Sequence, residues 1–312
     1  MLILAPMQGL TELMFRKTYH QCFPEALDAA VSPFLSITHG NLNEACRKIN
    51  DVLPDANRDS IPVIPQILGK EPDEFVGLAN RLHELGYDEV NWNIGCPMRR
   101  VTAKLRGSGI LPHPDKVRNI LDSVVPRLKP RLSIKMRLGL SSPDDIFALV
   151  PVLSSYPLAN ITIHPRTGRQ QYAGQVDLDT FEQAYRQFQC PIVYNGDLCT
   201  PEDYRRLRRR FPDIDDFMIG RGILYDPILP LKIKGIVSDD DRDAATLAAR
   251  RFATALLDAI LACPTTDESK MRKTKEYWSL LHRSLPIAEQ QARTVLRQPT
   301  LRETLAALHD VL

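Results

Sequence analysis

No two of the six cysteines (Cys22, Cys46, Cys96, Cys190, Cys199 and Cys263) form a C-x-x-C pair, so the 312-residue sequence offers neither zinc-ligand spacing nor a disulfide framework. Reduced thiols are expected. No apolar run approaches the roughly 20 residues that span a bilayer, and the N-terminus lacks a charged start followed by a long apolar segment. A cytoplasmic protein without membrane contact is expected. Repeats and low-complexity tracts are missing too, which excludes solenoids and disordered tails. An excess of one charge sign is also lacking: a formal net charge of +2 leaves any nucleic-acid argument to local distribution.

What is present is alternation. Short runs rich in Ile, Val and Leu near residues 2–5, 27–32, 62–67, 89–93, 132–136, 160–164, 192–195 and 217–220 are separated by longer amphipathic stretches. That pattern is the βα signature of a parallel sheet, and eight such units close a TIM (β/α)8 barrel. One stretch, 72–86, opens on Pro72 and two acids, repeats apolar residues at helical spacing through Phe75, Leu78, Ala79, Leu82 and Leu85, and stops at Gly86. After Gly235 strand signals cease and the pattern is helical to the end. The reading is an α/β barrel domain over 1–237 followed by a small all-helical domain over 238–312.

Barrel strands are buried on both faces, so polar residues belong near their C-terminal ends, at the mouth where such barrels keep their chemistry. Nearly every strand here follows that rule. The first ends in Pro6-Met7-Gln8-Gly9, the third carries Gln66, the fourth ends at Asn93 and Cys96, and the fifth carries Lys135 and Arg137. The sixth ends at His164 and Arg166, and the last two finish with Asn195-Gly196-Asp197 and Gly220-Arg221-Gly222. A lone buried histidine or cysteine is ordinarily core. Seven polar strand ends at one rim are not.

Glycine-rich turns after strands seven and eight commonly cradle a phosphate with backbone N–H groups, so a phosphorylated cofactor is expected. Lys135, with Gln66 and Asn93 nearby, suits a flavin, whose pyrimidine edge takes donors and gains negative charge on reduction. Flavin mononucleotide (FMN) is favoured over pyridoxal phosphate, which would need the lysine as a Schiff base.

Pro6-Met7-x-Gly9, Gln66-x-x-Gly69, Asn93-x-Gly95-Cys96-Pro97, Lys135-x-Arg137, His164-x-Arg166-Thr167, Asn195-Gly196-Asp197 and Gly220-Arg221-Gly222 stand in an order and spacing that resembles the tRNA-dihydrouridine synthases. The resemblance implies an FMN-containing TIM barrel with a helical tRNA-binding domain, using NADPH to reduce the 5,6 double bond of D-loop uridines. Carried over to this sequence, Cys96 would be the general acid that protonates C5 of uracil. Pro6, Met7, Gln8, Gln66, Lys135 and His164 would contact the flavin ring, and Asn195, Gly196, Asp197, Gly220 and Arg221 its ribityl phosphate. Asn93 and Arg166 would orient the uracil. Lys273-Thr274-Lys275-Glu276-Tyr277-Trp278 resembles the basic-aromatic helix of the bacterial C subgroup, which acts on position 16, and makes Arg272, Lys273 and Lys275 candidate tRNA contacts.

A folded tRNA must be held by its phosphates while the target base is flipped out. From Lys270 to Arg302 eight Lys or Arg stand against two Glu, a plausible electrostatic footprint. The loop after Cys96, with Arg99, Arg100, Lys104 and Arg106, is placed to close over the base. The Arg205–Arg210 run is expected on the outer helices, away from the mouth. Two rival readings are an FMN barrel acting on a free pyrimidine and a non-catalytic RNA-binding protein. A monomer with no obligate protein partner is expected.

Overall fold

The computed structural model describes residues 1–36 and 49–312; Cys46 lies outside the described residues. Ten strand segments pair in parallel: β1 (Leu2–Leu4), β2 (Ala29–Val31), β3 (Leu35–Ser36), β4 (Val63–Ile64), β5 (Gln66–Leu68), β6 (Glu89–Ile94), β7 (Arg131–Gly139), β8 (Ile161–Thr167), β9 (Ile192–Tyr194) and β10 (Asp216–Ile219). Their lateral order is β3-β5-β6-β7-β8-β9-β10-β1-β2-β4. The two ends of that order meet in the chain itself, because β4 and β5 are separated only by Pro65, whose carbonyl accepts from Asn91 N–H.

Ten segments therefore make eight staves. The second stave is split into β2 and β3 around Pro33, and the third into β4 and β5 at Pro65. A proline has no N–H to give to the ladder, so the sheet breaks there without losing its course. Alternating apolar runs thus predict the staves correctly but not the interruptions within them.

The helix expected over 72–86 is observed at Pro72–Glu84, with Pro72 in its first turn and Gly86 past its end at φ +99°. Phe75, Leu78, Ala79 and Leu82 are buried, as the spacing requires. Beyond β10 the strands stop, and helices Arg242–Ala262, Asp267–Leu281, Glu289–Arg297 and Leu301–His309 follow. These helices share part of their core with the barrel and build part of their own. Phe252, Leu256, Ile260, Tyr277 and Leu281 belong to the same buried cluster as the barrel interior, while Trp278, Leu285, Val295 and Leu308 make a smaller second one. Phe252 meets Phe15, Tyr19 and Phe23 of the barrel at ring distances of 5.5, 5.5 and 5.9 Å. Among the described residues no helix is long and apolar enough to cross a membrane.

Candidate active site

The C-terminal mouth of the barrel opens into a cavity of about 430 Å³. Pro6, Met7, Gln8, Asn93, Cys96, Lys135, His164, Asn195, Gly196, Asp197, Gly220 and Arg221 all line it. Twelve residues expected at the site from strand ends scattered along the chain are thus brought together by the βα order.

Cys96 is held from both sides. The Asn93 side chain accepts through Oδ1 from Gly95 N–H (3.1 Å) and Cys96 N–H (2.9 Å), while the Cys96 carbonyl accepts from Ser108 N–H (3.0 Å) and Ser108 Oγ (3.2 Å). Gly107 permits the second clamp: at φ +55°, a Cβ there would lie 2.5 Å from the Cys96 carbonyl oxygen. Burial pushes the thiol pKa up, against the hydrogen bond from Met98 and the charges of Arg137, Arg100 and Lys135. The thiol stays protonated at neutral pH.

Gln66 and Arg166 do not reach the cavity wall. Gln66 is fully buried one layer behind, accepting from Asn93 Nδ2 at 2.7 Å and donating to Asn91 Oδ1 at 2.8 Å, with Asn91 donating in turn to Ser133 Oγ at 3.0 Å. This amide chain fixes Asn93, and through it the turn that carries Cys96. Arg166 donates to both oxygens of Asp197 (2.9 and 2.5 Å), to the Gly174 carbonyl (2.7 Å) and to His164 Nε2 (3.2 Å). The displacement of Arg166 has a local cause. Arg137 pairs with His164 and Gly139 with Thr167, so β8 carries one extra residue beside Pro165, and such a bulge re-aims the side chains after it.

An arginine can only donate, so His164 Nε2 is the acceptor and the ring proton sits on Nδ1. Burial, with the charges of Arg137 and Lys135 behind it, drives the His164 pKa well down, keeping the ring neutral. Lys135 makes no hydrogen bond or ion pair with any described residue. Burial, then the Arg137 charge, lowers its pKa to about 7. Between that value and its ordinary 10.5 the unfolded chain holds a proton that the folded chain has shed, so stability of the cofactor-free protein rises with pH across this window. Thermal unfolding from pH 7 to 9 is expected to show a steeper upward trend in wild type than in Lys135→Met; parallel curves would exclude a neutralised lysine.

Three residues that strand-end reasoning left without roles complete the wall. Arg137 donates to the Gly95, Thr167 and Gln171 carbonyls at 3.1, 2.9 and 2.7 Å, tying the cysteine turn to the loop after β8. Its pKa falls to about 10 through burial, so it remains a cation. Tyr172, on that loop, is 54% exposed, and the guanidinium carbons of Arg137 and Arg221 sit 5.6 and 4.6 Å from its ring centre. The only signal for it in the sequence is an aromatic in a mouth loop. Leu280 enters the cavity from the C-terminal helices.

The residues fit an anionic, phosphorylated cofactor. Arg137 and Arg221 give the cavity positive charge, to which Lys135 adds when protonated, and the one carboxylate among its described lining residues, Asp197, is already occupied by Arg166 and by Arg221 at 2.9 Å. Among the described residues no cluster of His, Cys, Asp or Glu is arranged to hold a metal ion.

The basic candidates separate sharply. Lys273 donates to the Gly9 carbonyl and Lys275 to the Gln298 carbonyl, so neither ammonium is a free surface charge, and Lys270 is held by the Leu261 carbonyl at 2.7 Å. Arg272, Arg297 and Arg302 are exposed with no acidic partner among the described residues, as are Arg99, Arg100 and Lys104. Every arginine of the 205–210 run pairs with a carboxylate, from Glu202, Asp203, Asp239, Asp215, Asp179 or Glu182.

The sequence model of the family described as dihydrouridine synthase (Dus) matches residues 3–304. The chain belongs to the dihydrouridine synthase family. It is 29% identical over 262 residues to the tRNA-dihydrouridine(16) synthase of Cupriavidus necator, covering 82% of this chain and 80% of that one. It is 28% identical over 240 residues to tRNA-dihydrouridine synthase B of Pasteurella multocida, covering 77% and 70%. Solved structures of similar fold include morphinone reductase (TM-score 0.52, 14% identity, 80% and 88% covered). The old yellow enzyme homologue from Zymomonas mobilis also matches (TM-score 0.55, 12% identity, 76% and 88% covered). At such identities the likeness is one of fold, and the family membership rests on the sequence match.

Proposed function

We propose that this protein binds FMN and uses NADPH to reduce the 5,6 double bond of a D-loop uridine in tRNA, with position 16 as its target. The observation that carries the reading is a cysteine, held through its backbone N–H and carbonyl, facing a cavity that also holds a lysine without a hydrogen-bond partner among the described residues. When bound, the reduced flavin supplies hydride to C6 of the uracil.

The chain's own residues do the rest. Cys96 donates its thiol proton to C5, and the cations Arg137 and Arg100, which already oppose the rise in its pKa, stabilise the thiolate left behind. Lys135, without a hydrogen-bond or ion-pair partner among the described residues, supports in its protonated form the negative charge that develops on the flavin and on the uracil carbonyls. Asn93 spends Oδ1 on the cysteine turn and one Nδ2 hydrogen on Gln66, so a single N–H remains to orient a uracil carbonyl. His164, neutral with its proton on Nδ1, offers one donor to the cavity. Tyr172, half exposed at the mouth with Arg137 and Arg221 near its ring, offers aromatic surface to a flipped base.

Position 16 is supported by the named specificity of the Cupriavidus relative. The deciding experiment treats dihydrouridine-deficient tRNA with the protein and NADPH, then maps products by nucleoside mass spectrometry and primer extension. Dihydrouridine at position 16 alone is the expected result. Reduction at another single position would overturn the positional reading, and reduction of free uracil or uridine in preference to tRNA would overturn the substrate.

The RNA is held by Arg99, Arg100 and Lys104, which have no acidic partner among the described residues. Replacing Arg99, Arg100 and Lys104 together by alanine is expected to weaken tRNA binding about tenfold at low salt and to flatten its salt dependence, because phosphate contacts release counterions. Replacing Arg205, Arg206 and Arg209 should change binding less than about twofold, since those charges are already neutralised. Filter binding across a salt series separates the two; equal effects would move the RNA path to the outer helices.

A further inference from the structure

We infer that Lys273 and Tyr277 of the C-terminal helices are positioning residues for the cofactor wall, making the helical segment part of the flavin site as well as of the RNA surface. The loop after β1 supplies Pro6, Met7, Gln8 and Leu10 to the cavity. It has no strand pairing past Ala5, whose N–H donates to Ile219 at 2.8 Å. Three successive carbonyls of this loop are instead captured by side chains. Lys273 Nζ donates to Gly9, Tyr277 OH to Leu10 at 2.5 Å, and Arg16 Nη1 to Thr11 at 2.9 Å. Two of the three donors come from the Asp267–Leu281 helix.

The helix is well suited to the task. Lys273, Tyr277 and Leu280 follow at spacings of four and three, so they share one face. Leu280 from that face lines the cavity directly. Tyr277 is buried and stacks on Phe15 at 5.9 Å with ring planes 13° apart, which fixes where its hydroxyl points. Lys273 lies 3.3 Å from Glu276 and 3.8 Å from Glu12, so its charge is balanced while it holds Gly9. A loop carbonyl deprived of its partner in this packed region must find water or move. Movement of Gly9 or Leu10 carries Met7 with it, because the Met7 carbonyl accepts from Leu10 and Thr11 N–H at 2.9 and 3.0 Å.

The inference rests on the flavin reading above, and its test separates the two. Apoprotein is titrated with FMN by fluorescence quenching, and hydrogen exchange of the segment 5–12 is followed without FMN. Tyr277→Phe, which removes one hydroxyl and keeps the ring, is expected to weaken FMN binding about tenfold and to speed exchange in that segment. Lys273→Met should act likewise, with Lys273→Arg restoring most of the affinity. Trp278→Phe serves as the control: it removes a bond from the same helix to the Ala292 carbonyl (3.1 Å), in the second core, and should lower the unfolding temperature without altering FMN affinity. Unchanged affinity and exchange in Tyr277→Phe would overturn the inference, as would equal loss of affinity in Trp278→Phe. Wild-type protein that binds no FMN would instead overturn the flavin reading itself.

Discussion

Cys96→Ala is expected to lower dihydrouridine formation about 10²–10⁴-fold, the usual contribution of a positioned general acid, while bound flavin and tRNA affinity persist. Bleaching of the flavin by NADPH should continue at the wild-type rate, because that half-reaction needs no proton at uracil C5. The thiol is not a packing element of the main core: it sits in a small cluster with Leu68 and Val101 at the mouth, and its turn is fixed by the side chain of Asn93 and by Ser108 rather than by its own sulfur. Stopped-flow flavin reoxidation by tRNA measures the step directly. A colourless variant would reassign Cys96 to the scaffold, and undiminished reoxidation would assign the proton to another donor.

Asp197→Ala is expected to lower the unfolding temperature by about 5–10 °C. Arg166 is only 2% exposed and its charge is answered by Asp197 alone among the described residues. Leaving one member of such a pair buried and uncompensated costs on the order of 3 kcal/mol or more, which for a chain of this size corresponds to the shift named. Asp197 also holds a left-handed backbone at φ +38°, and it anchors Arg221, the cation beside Tyr172. Because the penalty comes from the stranded charge, the double variant Arg166→Met, Asp197→Ala should recover part of the loss. Calorimetry on both decides it: a single variant as stable as wild type, or a double variant worse than additive, would show that the pair is not what stabilises this corner.

The barrel and the membership of its cavity were readable in the sequence, because strands buried on both faces tolerate polar residues only where they emerge. Cys96, Lys135 and the two glycine turns declared themselves in that way. Depth was not readable. Gln66 and Arg166 have the same periodicity as cavity residues, yet one is drawn into an amide chain and the other follows a bulge beside Pro165. The fates of Lys273 and Lys275 were hidden for a different reason: their partners are backbone carbonyls, which leave no mark on the identity of the residues that supply them. Tyr172 depends on a loop conformation that brings Arg137 and Arg221 close to one ring, a meeting of three distant positions that no local pattern encodes.

The shared core of barrel and C-terminal helices limits how this enzyme can change. Phe252 fills the space between Phe15, Tyr19 and Phe23, so the segment that would read the RNA is also a plug in the scaffold. It cannot be removed without uncovering aromatic surface on the barrel, nor exchanged for another reader without matching that surface. On the proposed reading, a change of target nucleotide falls on exposed positions such as Arg272, Arg297 and Arg302, while the inward face of the same helices stays fixed by the core it fills.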